Sequence, residues 1–271
     1  MKKIALFAIC LLLLCMLSST ALVNAFYAGY TYTNYQAQVT PTTDGKWTSP
    51  DEWLDAMVPT NTPEAFAWRE KWTYPEGTTI ILHVLFEFFT DNTNSTDDYY
   101  QFCVDNNANG GATPQTDDIR IDWVGHSQSG LKVYRGTGTG WTEFTDYTWG
   151  TDLKIVETLD ESPLNSEPHW IMELTMSRSK TEFSVSSSNY VPGIRLAVYD
   201  GDTPAQGVQA WPPTGRDVPS DWGQETGTMD QIPETFSIIA VVLLSSFVVA
   251  GVYLMRKNPK HSALRAPNLG S

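Results

Sequence analysis

Disulfide chemistry is missing from this chain. It holds three cysteines in 271 residues. Cys10 and Cys15 lie in an apolar leader, which leaves Cys103 alone and without an internal partner. Cys103 sits in the alternating run Tyr-Tyr-Gln-Phe-Cys-Val, which makes it a buried, inert thiol rather than a nucleophile. Basic residues are scarce as well. Of the 17 Lys and Arg, six lie at the two ends (Lys2, Lys3, Arg256, Lys257, Lys260, Arg265). The body between them therefore has 11 bases against all 31 acids, a net charge near −20. That balance excludes a nucleic-acid binder, whose phosphate contacts need positive charge. It suits a divalent-cation binder, a crowded cell surface or a high-salt habitat. Heptads, long amphipathic helices and internal repeats are absent too, which excludes coiled coils and solenoids. No nucleophile elbow, Cys/His pair or phosphate loop occurs. Acid pairs such as Asp51/Glu52 and Glu143/Asp146 are expected by chance at this acid content and give no support to a glycosidase.

Two apolar runs are present, one at each end. Lys2 and Lys3 precede residues 4–17, and Val23-Asn24-Ala25 offers small residues at the −3 and −1 positions. This is the pattern of a secretory signal peptide covering residues 1–25. Residues 236–255 read FSIIAVVLLSSFVVAGVYLM, without a charge. About 20 apolar residues let a helix cross a bilayer core. The basic tail 256–271 carries no acid, and basic flanks stay on the cytoplasmic side. The expectation is a single-pass membrane protein with residues 26–235 outside the cell.

That outer body reads as all-β. Residues 80–88, 99–104, 118–124, 131–135, 153–158, 170–176 and 194–199 are short runs rich in β-branched and aromatic residues. Gly, Asn, Asp, Pro and Ser clusters separate them. The pattern predicts an antiparallel β-sandwich, jelly-roll-like, over residues 26–214. Residues 63–71 predict a short helical turn. The polar segment 215–235 predicts a stalk to the membrane.

Several local patterns carry chemistry. Asp105-Asn106-Asn107-Ala108-Asn109-Gly110 matches the first half of a calcium loop, in which oxygens at alternate positions converge on one hard cation. Thr116 stands where a full loop has Glu, and Asp117 and Asp118 lie just beyond. The candidate metal ligands are Asp105, Asn107, Asn109, Asp117 and Asp118, with calcium in a structural role; the same letters also serve an ordinary Asn/Gly hairpin. Asp200-Gly201-Asp202 can bind a cation or simply turn the chain. The histidines lack zinc-ligand spacing and read as core or surface residues. Asn94-Ser95-Thr96 is a glycosylation sequon in a polar loop. All ten Trp lie in the body. Trp141 and Trp149, set among Gly and Thr, are the candidates for an exposed stacking platform.

The order of motifs resembles carbohydrate-binding module family 9. Asp44-Gly45-Lys46-Trp47 with Glu52-Trp53 and Ala56 resembles its opening motif. The loop from Asp105 to Asp118 resembles its acidic Asn/Gly loop. Trp170-Ile171-Met172-Glu173-Leu174 resembles a strand of the family. Residues 194–223, with Ala210-Trp211-Pro212 and Trp222-Gly223, resemble its closing pattern. The resemblance implies a non-enzymatic β-sandwich that stacks sugars on Trp, often with structural calcium, and a glycan or cell-envelope polysaccharide as partner. Trp53 and Trp211 lie inside the motifs and read as structural. The alternatives are a structural or adhesive envelope protein, or a haem-binding electron-transfer domain of the related DOMON type. Some relatives of that type bind haem through Met and His, and His169 and Met172 lie near each other, but residues 170–174 alternate as a strand and Met172 reads as core. Ile232-Pro233-Glu234-Thr235-Phe236 before the apolar run is similar to P-E-F sorting tails, with Thr235 interrupting the motif. That similarity implies a sorting transpeptidase as a further partner; the longer basic tail favours a retained anchor.

Protease applied to intact cells is expected to remove the body along with known surface proteins; survival of the body would overturn the topology.

Overall fold

The computed structural model describes residues 26–75, 79–178 and 192–227. The leader 1–25 and residues 228–271, with the apolar run 236–255, lie outside them. Among the described residues no helix is long and apolar enough to cross a membrane.

The strands are β1 (Thr31–Thr33), β2 (Tyr35–Gln36), β3 (Phe66–Thr73), β4 (Ile81–Phe88), β5 (Tyr99–Asp105), β6 (Asp118–Val124), β7 (Leu131–Gly136), β8 (Trp141–Glu143), β9 (Leu153–Asp160), β10 (His169–Ser177), β11 (Gly193–Tyr199), β12 (Gln209–Trp211) and β13 (Gly223–Thr226). They form two sheets. One runs β1-β13-β11-β5-β6-β7-β8, with β12 also paired to β11. The other runs β2-β3-β4-β10-β9. Pairing is antiparallel except for β1 with β13 and β2 with β3.

Alternation builds the core. Val84, Phe86 and Phe88 of β4 and Met172, Leu174 and Met176 of β10 face Phe102, Ile121, Leu196 and Val198 of the other sheet, and all are buried. Trp211 is fully buried and packs on Trp68, ring centroids 4.9 Å apart. Cys103 is also fully buried, and burial pushes its thiol up to about 12, so it is inert.

Two segments differ from expectation. Residues 66–73 form a strand, not a helical turn. The run carries three consecutive charged side chains, Arg69, Glu70 and Lys71, all buried in the folded domain. Residues 215–227 belong to the sandwich rather than to a stalk. β13 joins β1 to β11 in the larger sheet, and the pairing of backbone groups overrides a polar composition.

The outer face of the five-stranded sheet is covered by the segment 37–58, which includes the short helix Pro50–Trp53. Trp47, Trp53 and Ala56 of this segment pack on Leu85 and Ile171. Polar groups fix the cover. Glu173, 1% exposed, accepts from the backbone N–H of Asp44 at 2.8 Å, that of Gly45 at 2.9 Å and the indole N–H of Trp53 at 3.1 Å. Gly45 has φ 78°, and a Cβ there would stand 2.9 Å from the Glu157 backbone, so only glycine fits. Lys71 is fully buried and spends its donors on Asp55 at 2.6 Å and on the carbonyls of Val39 and Glu52. Two motifs far apart in sequence thus meet at one carboxylate.

Burial pushes Glu173 up to about 7 from an ordinary 4.5, against the pull of its three donors. A carboxyl with a raised folded-state pKa holds its proton more tightly when folded. Its stabilisation is complete below pH 4.5 and is lost as pH rises toward 7. Glu173→Gln cannot titrate. The melting temperature of the native chain relative to this variant is expected to fall between pH 4.5 and 7. A difference that stays flat over that range would show that Glu173 keeps its ordinary pKa.

Candidate functional site

The outer face of the larger sheet carries an aromatic and polar field. Register puts Arg195, Cys103, Arg120 and Tyr134 in one row across β11, β5, β6 and β7. Gln101 and Asp122 stand in the next row. The β7–β8 hairpin sets Trp141 opposite Gly136, on the same face as Tyr134. A network links the rows. Arg195 donates to Gln101 at 2.6 Å, and Gln101 donates to Asp122 at 2.7 Å. Arg120 ion-pairs with Asp122 at 3.2 Å and with Asp217 at 3.4 Å. Burial raises the Asp122 pKa, with Arg120 and Gln101 opposing.

Trp141 is half-buried, and its indole N–H donates to Asp217. The Arg120 guanidinium lies over the rings of both Tyr134, at 4.2 Å, and Trp141, at 5.2 Å. Such contacts contribute ~0.5–1 kcal/mol at exposed sites and fix the rings in place. Behind Trp141 lies Trp222, fully buried and parallel to within 7°, with centroids 6.4 Å apart. In the sequence Trp222 was marked only as part of the closing Trp-Gly pattern, within the segment read as a stalk. Trp141 is therefore the member of the pair with solvent access, held at its N–H and along one side.

Trp149 belongs elsewhere. It is half-buried, packs against the core, and stacks on Trp123 at 6.3 Å and 13°. Trp123 points to the inner face of the larger sheet, so the two sequence candidates stand on opposite faces and do not form one platform.

Of the five candidate cation ligands, three converge. Asp105, Asp117 and Asp118 each bring one carboxylate oxygen to within 4.8 Å of the others. Asp105 and Asp118 are fully buried and Asp117 half-buried. Asp105 already accepts from the N–H groups of Asn107, Ala108 and Gly110. Asp118 accepts from that of Gln115 through one oxygen. Its other oxygen, and one oxygen of Asp117, are buried without a hydrogen-bond donor. Orphaned hard oxygens among three acids fit a divalent cation such as calcium. Burial first, and then mutual repulsion, pushes Asp118 up to about 8 and Asp105 up to about 6. Asn107 Oδ1 accepts from the Asn109 N–H, and Asn109 is exposed.

This loop touches both halves of the aromatic pair. Gly138, at the tip of the β7–β8 hairpin, donates to Pro114 O at 2.8 Å. Ser220, two residues before Trp222, donates to Gly111 O at 3.1 Å.

His169 and Met172 cannot ligate one iron. On β10 they point to opposite faces, His169 toward Glu87 and Met172 into the core.

No protein-family profile matches the chain, and no curated protein matches it. Among solved structures it is similar to a carbohydrate-binding module of family 9 from Caldicellulosiruptor kristjanssonii in complex with glucose, at 17% identity, covering 74% of this chain and 98% of that one, TM-score 0.48. A second, from the same organism in complex with cellotriose, has 14% identity, covers 75% of this chain and 97% of that one, and gives a TM-score of 0.45. Likeness at that level carries no argument about the site.

Removing divalent cations is expected to lower the melting temperature. A cation that binds only the folded state at a hundredfold excess over its dissociation constant contributes ~2.7 kcal/mol. Asp118→Asn should remove the response to calcium. Calcium that leaves the native melt unchanged would show that the three acids hold none.

Proposed function

We propose that this domain is a non-enzymatic glycan-binding module with Trp141 as its stacking platform and with calcium ordering the loop between Asp105 and Asp118. We further propose that it is presented outside the cell and held by residues 236–255. One observation carries the glycan reading. Trp141 is a half-buried indole on the outer sheet face, fixed by Asp217 and Arg120 and bordered by side chains that can take hydroxyls. A sugar ring offers C–H groups on one side and hydroxyls at its rim. Stacking buries the first, while Asp217, Tyr134 and Arg120 are positioned to hydrogen-bond the second. An excess of acid near −20 in the body favours a neutral glycan over an anionic one. The motif order supports the same reading.

Calcium bears on binding through the loop contacts to Gly138 and Ser220. A disordered loop frees both walls of the aromatic pair, and binding then has to supply the cost of ordering them.

The test is a glycan array on the native chain, Trp141→Ala and Trp149→Ala, with melting temperatures measured alongside. Trp141→Ala should abolish retention of neutral glycans with little loss of stability. Trp149→Ala, which opens the core edge, should cost up to ~3–5 kcal/mol, the range for burial of a large aromatic, and retain glycan when folded. Chelator should weaken retention. If Trp141→Ala leaves retention intact, the platform is elsewhere. If the native chain retains no glycan, the adhesive reading of the same surface replaces this one.

A further inference from the structure

The opposite end of the sandwich from the Asp105 loop holds a second buried cluster. His126 follows β6 with a left-handed backbone, φ 50°, and its side chain is 1% exposed. Its two ring nitrogens face carboxylates on opposite sides. Nδ1 lies 2.8 Å from Glu157 Oε1, and Glu157 Oε2 accepts from the Trp123 indole at 2.8 Å. Nε2 lies 2.8 Å from Asp98 Oδ2 and 3.7 Å from Asp91 Oδ2. The ring of Trp170 lies parallel on the imidazole at 3.9 Å.

Asp91 and Asp98 are each 1% exposed. Asp98 is engaged with the N–H groups of Ser95 and Gly201. Asp91 uses one oxygen for Thr93, and its other oxygen, buried and aimed at His126, has no hydrogen-bond donor. Among the described residues no lysine or arginine pairs with Asp91, Asp98 or Glu157. An imidazolium supplies one positive charge to three carboxylates. Two negative charges then remain buried, at a cost of several kcal/mol each unless they are compensated.

We propose that Asp91, Asp98 and Nε2 of His126 form a metal site for zinc or a similar first-row divalent cation, with Glu157 as the positioning residue behind the histidine. Glu157 accepts the Nδ1 proton, which turns the Nε2 lone pair toward the two aspartates. This is the usual support for a metal-bound histidine. Zinc bonds of 2.0–2.1 Å in tetrahedral geometry imply ligand-to-ligand distances of roughly 3.3 Å. The separations of 2.8 and 3.7 Å bracket that value. One imidazole nitrogen with two carboxylate oxygens suits zinc, whereas calcium takes six to eight oxygens. The site ties together the chain after β4, β5 at its start, the turn after β6 and, through Gly201, the turn after β11. Without metal, burial pulls the His126 pKa down, but Glu157 and Asp98 outweigh it and hold the pKa above its ordinary value. The inference does not depend on glycan binding.

The test is a Co2+ titration of the full chain, purified in detergent and stripped of metal. Co2+ serves as the probe because its visible absorption reports nitrogen and oxygen ligands in a four-coordinate site. The expected result is one saturable band at one equivalent, erased by Zn2+ and unmoved by Ca2+. Asp91→Asn should abolish the band, Glu157→Gln should weaken binding roughly 10–100-fold, and Asp118→Asn, at the other cluster, should leave it intact. His126→Ala should also abolish it. If that variant does not fold, Asp91→Asn, which preserves shape, decides. A native chain that binds no Co2+ at tenfold excess overturns the proposal. So does a band that survives in folded Asp91→Asn.

Discussion

Buried carboxylates with too few bases to pair them are the constraint on which this domain is built. The body carries 31 acids and 11 bases, and many of those acids are inside. An isolated buried charge is too costly to persist, so each must be met by donors, by a proton or by a cation. Different parts of the fold use different solutions. Glu173 is met by backbone and indole N–H groups of the covering segment. Glu70 and Glu225, on separate sheets, share the side-chain amide of Asn34 at 2.7 Å each. Burial, with Glu225 close by, holds Glu70 well above the carboxylate range. Asn34 sits where the chain passes from β1 to β2, so this contact also joins the sheets.

The two ends of the sandwich carry the acids that donors alone do not satisfy. At one end Asp105, Asp117 and Asp118 leave hard oxygens facing each other. At the other, Asp91 and Asp98 face a histidine nitrogen. The chemistry separates them: oxygen alone at the first, nitrogen and oxygen at the second. Both clusters close long-range connections, while the strands between them rest on apolar packing.

The proposed recognition surface uses the same frame. Trp141 is half-buried, with Asp217 and Arg120 in contact with it and the buried Trp222 parallel to it. The hairpin and the segment that carry these two rings both hydrogen-bond to the acidic loop. A charge problem at a sheet end therefore becomes the support of an aromatic surface some residues away.

The sequence by itself determined the all-β class and seven of the strands, because runs rich in β-branched and aromatic residues between turn clusters are local signals. It also marked Trp53, Trp211 and Cys103 as interior, and it located Asp105, Asp117 and Asp118 through loop chemistry within fourteen positions. Tertiary structure alone decided the rest. β3 was hidden because three consecutive charged residues, Arg69, Glu70 and Lys71, stand in it and find buried partners only in the folded domain. β13 was hidden in a polar stretch whose place in the sheet depends on pairing with β1 and β11. Trp141 and Trp149 looked alike in sequence, and strand register sent one to the outer face while the other packed beside Trp123. His126 showed no ligand spacing because its partners lie far from it in sequence, Asp91 and Asp98 on the β4–β5 connection and Glu157 on β9. Local patterns encode strands and turns; sites made of distant residues exist only after the sheets have brought them together.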